Sequence, residues 1–598
     1  MENDKLPLRS EIDNSLKWKI EDIYSNDESW KKDFEKIQKM LPNILKFRGN
    51  TVSSAENLLS VLRLNDEISQ TFSSVYVYAN MKLHEDTSNS FYQGLADQAQ
   101  SLMVQVNSAT SFIVPEILAS NNIEEFLKSN KDLEFYKIYL DNLMRLKAHI
   151  LSPEIEEILA EAGEITEAPD NIFAMLNNAD ITFDNIPNEK GEMVELTKGR
   201  YTSYLELQDR KVREAAFKSL YKSYIKQKNT LTAIFSSNVK KDAFIAKVRK
   251  YNSSLEAALD DSNIPVEVYY NLIKAVENKL PLMHKYVSLR KKLLGVEELH
   301  MYDLYVPMVK DVEMNIPFEQ AKGKVLEGLA PMGEEYLSLL KKGFNEGWID
   351  VCENQGKRSG AYSWGTYGVH PYVLLNHQDN LDSTFTLAHE MGHAIHSYYS
   401  DKNQPYIYAA YKIFVAEVAS TVNESLLMQH MINNADNKTQ KAYLINHFLE
   451  KFRGTLFRQT MFAEFEMITH KMVEDGEALT VDVLCSIYHK LNEKYFGNDI
   501  VIDSEIDMEW ARIPHFYSAF YVYQYSTGFS AAIALSQRIL EYGQKAVEPY
   551  ISFLKSGGSD YPINLLKKAG VDMTTAEPID KALELFDQLL KELEELLA

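Results

Sequence analysis

Residues 381–400 read LDSTFTLAHEMGHAIHSYYS, and this stretch decides the fold around it. No Pro or Gly interrupts the run from Thr384 to Met391, and Ser383 or Thr384, after Asn380 and Asp382, offers an N-cap, so the pattern predicts a helix. Residues four apart lie one above the other on a helix, which turns His389 and His393 to one face and allows both to reach a single metal ion. Glu390 is rotated by about 100° from His389. Its carboxylate would stand beside the metal, able to take a proton from water instead of ligating. Gly392 costs about 1 kcal/mol relative to Ala in a helix interior, so its place between the two histidines predicts a close neighbour against that backbone.

A metal site of this kind needs a third protein ligand. His396 is about 10 Å of helix rise from His389 and could share the ion only if the helix broke between them. The glycine that announces such a break, six residues after the second histidine, is here Tyr399. His396 therefore reads as a partly buried structural or pocket-wall residue. A better candidate lies in residues 408–425, YAAYKIFVAEVASTVNES. After the turn signal Asp401-Lys402-Asn403-Gln404-Pro405, the residues Phe414, Val418 and Val422 recur at helical spacing, with Glu417 and Glu424 among them on a shared face. A carboxylate directed inward from an apolar helix is costly unless it is paired or binds metal. Glu417, on an antiparallel return helix, is the expected third ligand. Glu424, two turns on, is expected to accept the second ring N–H of a ligating histidine and fix its tautomer.

Residues 511–529, ARIPHFYSAFYVYQYSTGF, gather His515, Tyr517, Tyr521, Tyr523 and Tyr525 without matching acids. Such donors suit an oxyanion, and Tyr521 and Tyr525 would share a face if the stretch were helical, with His515 about a turn and a half earlier. An aromatic run is also ordinary core material. Before the motif, Tyr372-Val373-Leu374-Leu375 is β-prone and follows Gly360, Gly365 and Gly368, so it reads as an edge strand beside the metal. An edge strand can pair with an extended peptide, and glycines permit close approach or hinge motion. Gly360, Tyr362, Tyr372 and Val373 are the candidate substrate contacts.

With these clusters in hand, the chain resembles the oligoendopeptidase F family, a branch of the thimet-oligopeptidase-like zinc metallopeptidases. The resemblance runs through GAYSWGTYGVHPYVLLNH (360–377), FVAEVASTVNE (414–424), IPHFYSAFYVYQYSTGF (513–529) and FLKSGGSDYPINLLKKAGVDM (553–573). It is strong from about Asn171 to Met573 and looser before that. It implies a mostly helical fold with two lobes around a long channel, one zinc per chain bound by two His and one Glu, and cleavage of short unstructured peptides. Carried onto this sequence, the ligands are His389, His393 and Glu417 and the base is Glu390. His515 and a tyrosine, Tyr521 first and Tyr525 second, correspond to the transition-state stabilisers.

The expected fold class is mainly α: a large helical two-lobed body enclosing a substrate channel, with a small β element beside the zinc site. At 598 residues the length alone would allow about four domains, yet no Pro/Gly/Ser-rich linker or charge block separates them. The reading divides the chain into an N-terminal helical lobe, 1–195, ending near a β-hairpin, and a catalytic region, 196–598. Core-facing stripes occur at Ile68, Phe72, Val75 and Ala79, at Leu102, Val106, Ala109 and Ile113, and at Leu583, Phe586, Leu590, Leu593 and Leu597. The hairpin is expected to pair Ile181-Thr182-Phe183 with Met193-Val194-Glu195-Leu196 through a turn at Asn188-Glu189-Lys190-Gly191.

The formal net charge of −23 argues against nucleic acid as the main ligand, because phosphate contacts need a basic face. Only Cys352 and Cys485 occur, which is no disulfide framework and fits a reducing compartment. The stretch MENDKLPLRSEIDNSLKW has no apolar leader region, and no run looks long enough to cross a bilayer, so the expected location is cytoplasmic. The expected partners are short peptides, with neither nucleic acid nor membrane. A dipeptidyl carboxypeptidase, an aminopeptidase and a metal-free peptide-binding scaffold are the competing readings.

Overall fold

The computed structural model describes residues 5–309, 312 and 314–597; Met1–Asp4 of the N-terminal stretch lie outside the described residues. Helices dominate, and short polar residues start them. Asn26, Ser54 and Asn89 cap Asp27–Leu45, Ala55–Glu85 and Ser90–Thr110 by accepting backbone N–H groups of the first turn. These three helices bury one core in which Ile68, Val75, Ala79, Leu102, Val106 and Ala109 take part, so the first two stripes face inward. In the C-terminal helix Glu577–Leu597, Leu583, Phe586, Leu590 and Leu593 are buried while Leu597 is exposed at the end.

Packing divides the chain into two compact units, each built from three separate segments. The first comprises Met1–Ala148, Met314–His430 and Leu535–Gly570. The second comprises His149–Glu313, Met431–Ala534 and Val571–Ala598. None of these junctions falls at the expected 195/196 division, because core partners lie far apart in sequence. Tyr372 and Leu374 share a core with Trp18 and Trp30, more than 300 residues earlier.

The sheet beside the motif helix lies within the first unit. Its strand order places Tyr372–Leu374 in the centre, parallel to Ile349–Asp350 and antiparallel to Tyr362–Trp364. This corrects the expectation of an edge strand at Tyr372–Leu375. Those residues form an uninterrupted apolar run buried on both faces, which is the signature of a central strand. The edge beside the motif is Tyr362–Trp364. Gly360 and Gly368, with φ of +83° and +89°, supply the left-handed turns on either side of it.

Two further expectations shift. The hairpin forms through Asn188–Gly191, but its first strand is Ile186–Pro187, paired with Met193–Val194, and not Ile181–Phe183. Ile186 is the buried anchor, and the helical turn Leu176–Asp180 runs directly into the earlier residues. Among the described residues one helical stretch, Ser90–Ala119, meets the length and composition of a membrane span, contrary to the expectation that none does. It is a helix broken at Ser111–Phe112 that turns Leu95, Ala99, Leu102 and Val106 into the first core.

Candidate active site

The motif lies in helix Leu381–Asn403 and the return helix is Ile413–Asn433, both in the first unit. The cap of the motif helix is Asn380, not Ser383 or Thr384: its side chain accepts the Ser383 N–H at 2.8 Å. Ser383 Oγ instead accepts the Gln378 N–H, tying the approach segment to the first turn. The two helices meet at Gly392, where a Cβ would lie 2.6 Å from Ser420 Cα and 2.9 Å from the Ala419 carbonyl oxygen. Only glycine permits that approach, which answers why a helix-weakening residue sits between the histidines. Asn423 secures the same contact: its amide donates to the Ala388 carbonyl at 3.0 Å and its oxygen accepts the Tyr336 hydroxyl at 2.7 Å.

This packing brings His389, His393 and Glu417 together, as the only described group able to hold a metal ion. His389 Nε2 and His393 Nε2 are 3.2 Å apart, and Glu417 Oε2 is 3.4 Å from the first and 3.7 Å from the second. Ligand atoms about 2.0–2.1 Å from a tetrahedral ion stand roughly 3.4 Å from one another, so the three atoms fit one ion of zinc size. The remaining ring nitrogens are held from behind. His389 Nδ1 bonds Glu424 Oε1 at 2.5 Å, and His393 bonds the Ala416 backbone. Acceptors at these positions favour the tautomer in which Nε2 carries the lone pair. Burial, and then His389, lower the pKa of His393 to about 4, keeping it neutral as ligation requires.

Glu390 is buried beside this group. Burial is the main cause that pushes its carboxyl up to about 7; Glu417 adds to the rise, while His389 and a hydrogen bond from the Ser363 backbone oppose it. Ser363 belongs to the edge strand and pairs with Val373, whose own N–H goes the other way, to the Trp348 carbonyl. The backbone groups of Ser363 therefore face the open edge, where the N–H meets Glu390. Sequence reasoning missed Ser363 and Asn423. Asn423 had a signal, a polar residue inside the apolar run before Glu424; a backbone donor leaves none.

The other candidates divide. His396 is buried, stacked on Tyr411 with ring centroids 3.7 Å apart, and takes no part in the metal group, as expected of a wall residue. Tyr372 and Val373 are fully buried, so they cannot touch a substrate, which corrects their assignment. Gly360 precedes the edge strand and Tyr362 begins it, with its hydroxyl 2.7 Å from His84 Nδ1. His515, Tyr521 and Tyr525 cluster within the second unit: Tyr525 Oη lies 3.3 Å from His515 Nε2, and the Tyr521 ring stacks on His515 at 5.9 Å. The helix expected to unite them begins only at Tyr523. Phe520, at φ +53° with its N–H bonded to buried Glu466, turns the chain so that Tyr521 meets Tyr525 from outside the helix. Tyr517 and Tyr523 are core, stacked on Phe173 and packed on Tyr269 respectively.

A helical body carrying a His-His-Glu group and an adjacent buried glutamate defines a metallohydrolase of the HExxH kind. The model for "Peptidase family M3" matches residues 203–585, and that for "Oligopeptidase F" matches residues 118–183. Oligopeptidase PepF of Bacillus subtilis is 49% identical over 99% of this chain and 89% of its own length. Group B oligopeptidase PepB of Streptococcus agalactiae is 41% identical over 99% of this chain and 98% of its own. Among solved structures, oligoendopeptidase-F from Enterococcus faecium is 41% identical with a TM-score of 0.74, covering 96% of this chain and 99% of that one. The chain belongs to peptidase family M3 and is a metallopeptidase of oligopeptides.

Proposed function

We propose that the chain is a zinc-dependent endopeptidase that hydrolyses internal bonds of short, unstructured oligopeptides. The observation that carries this reading is the spacing of 3.2, 3.4 and 3.7 Å among His389 Nε2, His393 Nε2 and Glu417 Oε2, with buried Glu390 at its side. Two imidazoles and one carboxylate form the donor set that zinc takes in hydrolases. When bound, zinc supplies Lewis acidity and brings the pKa of water towards neutrality. Glu390 accepts the proton of the attacking water at its carboxylate and returns it to the leaving nitrogen. A carboxyl balanced near neutrality suits both halves of that transfer. Glu424 holds His389 in its ligating tautomer.

His515, Tyr521 and Tyr525 are assigned to the oxyanion of the tetrahedral intermediate on their donor chemistry and their clustering, with Tyr521 first and Tyr525 second. The names of the relatives support the oligopeptide substrate class, and their spread over bacteria fits a bacterial enzyme. The two free cysteines support a cytoplasmic setting. Glu390→Gln tests the mechanism. The variant is expected to keep one zinc per chain by elemental analysis and to lose turnover by about 100-fold or more. Full activity with zinc in place would remove Glu390 from the mechanism.

A further inference from the structure

A cavity of about 620 Å³ opens within the first unit, in the size range of small-ligand sites. The edge strand forms one wall through Ser363 and Trp364, and the motif helix forms another through Ser397 and Asp401. Asp66 and Asp401 both line it, together with Trp364, Tyr367, Tyr406 and Tyr411. No Lys, Arg or His lines it among the described residues. Two carboxylates within aromatic walls and no cation of their own are the chemistry that holds an ammonium or guanidinium group.

Neither carboxylate is in an ion pair with a Lys, Arg or His among the described residues. Among the described residues Asp66 accepts the neutral Tyr136 hydroxyl, at 2.8 Å, and no cation, while nearby Arg63 is paired with Asp132. Lys402, adjacent to Asp401, has its Nζ over the Tyr398 ring at 5.7 Å and forms no ion pair with Asp401. Burial raises both carboxyls, Asp401 to about 7, with Lys402 opposing there and Tyr136 opposing at Asp66. Burying carboxylates unpaired is costly, and a bound cation would offset that cost. Ser363 Oγ, on the strand that forms one wall, has no hydrogen-bond partner among the described residues.

We propose that this cavity is a cation subsite for the substrate peptide, with Asp66 and Asp401 receiving a Lys or Arg side chain or the peptide's free α-ammonium. The proposal rests on the peptidase reading of the metal centre. Asp401 lies two helical turns beyond His393, or about 12 Å along the axis. An extended peptide covers that distance in roughly three to four residues. The cavity continues the edge strand in its own chain direction, from Ser363 to Thr366. A substrate paired antiparallel to that strand therefore runs its N-terminal side into the cavity. The cation belongs about three or four residues before the scissile bond.

The test is a set of internally quenched peptides, blocked at both ends, in which one Lys is moved through an otherwise constant sequence beside a norleucine control at each position. Cleavage sites are mapped by mass spectrometry. The expected result is a kcat/KM about tenfold higher for Lys than for norleucine at three or four residues before the cleaved bond. In Asp401→Asn and Asp66→Asn that ratio falls towards one. An unblocked peptide of matching length, compared with its acetylated form, separates the α-ammonium from the side chain as the source of charge. A Lys to norleucine ratio within twofold at every position, with no effect of acetylation, overturns the subsite while leaving the endopeptidase reading intact. The same peptides titrated against zinc-loaded Glu390→Gln by fluorescence anisotropy read binding without turnover. Tighter binding of Lys peptides there, with no cleavage by the unmodified enzyme, supports the subsite and overturns the endopeptidase reading instead.

Discussion

Gly392 shows how one residue can set the geometry of a metal group. An added methyl would meet Ser420 Cα at 2.6 Å, and the obstacle is helix backbone that cannot step aside as a side chain could. Gly392→Ala is expected to force the motif and return helices apart, destabilising the protein by about 1–3 kcal/mol and moving Glu417 away from the histidines. Thermal unfolding and zinc titration together check this, since a lower melting temperature with unchanged zinc affinity would contradict the linkage. Glu424→Gln is a milder perturbation of the same centre. It should weaken zinc by about 10- to 100-fold through the orientation of His389, with the fold retained by circular dichroism. Much at this scale was legible in the sequence. The i,i+4 histidines, the glycine between them and both return-helix acids carried recognisable costs or spacings. The helix cap at Asn380 lay outside that view, because several neighbouring polar residues offer the same local chemistry. The position of Tyr521 outside the helix did too, because the left-handed turn at Phe520 that places it depends on a distant partner, Glu466.

At the scale of elements, the open edge of the small sheet carries a backbone N–H that reaches Glu390, the proposed base. Ser363 directs its N–H to Glu390 and pairs with Val373 without a ladder bond, so a proline there removes the link to Glu390 while sparing the sheet's own hydrogen bonds. That hydrogen bond lowers the Glu390 pKa. Ser363→Pro is therefore expected to move the acidic limb of the kcat/KM profile to higher pH and to reduce kcat/KM at neutral pH. An unshifted limb would exclude Ser363 from control of the base. The sequence pattern identified a strand beside the metal but assigned the edge to the wrong segment. An apolar run such as Tyr372–Leu375 fits a central strand as well as a short edge, and only the pairing partners, about 10 and 24 residues earlier, separate the two.

At the scale of the whole molecule, the two units are interleaved in sequence, and this was the least legible property of the chain. Local periodicity marks a helix face as buried but does not say what buries it, so a division at 195/196 could be drawn without violating any local rule. The second unit carries a buried ionic network that sets an acid limit on stability. Glu509 accepts from Arg458 at 2.6 Å, Arg512 at 2.7 Å and Tyr488 at 2.6 Å. Burial alone would raise its pKa, but the two guanidinium groups outweigh burial and hold it at about 2. A carboxyl with a depressed folded-state pKa stabilises above its unfolded value and loses that contribution as pH falls through the folded one. From 4.5 to about 2 this amounts to about 3 kcal/mol. Glu509→Gln should be less stable at pH 7 and show a flatter loss between pH 4.5 and 2 in denaturant titrations; an acid limb as steep as that of the unmodified protein would contradict the assignment.

Zinc-dependent endopeptidase action is tested most directly by hydrolysis of an internally quenched peptide blocked at both ends, with and without a zinc chelator, and with zinc restored afterwards. The blocked ends remove the groups an aminopeptidase or carboxypeptidase must recognise, so cleavage reports endopeptidase action alone. The expected result is cleavage that the chelator abolishes and added zinc recovers. A folded, zinc-loaded protein that leaves every such peptide intact, or cleavage that persists through complete metal removal, would contradict it.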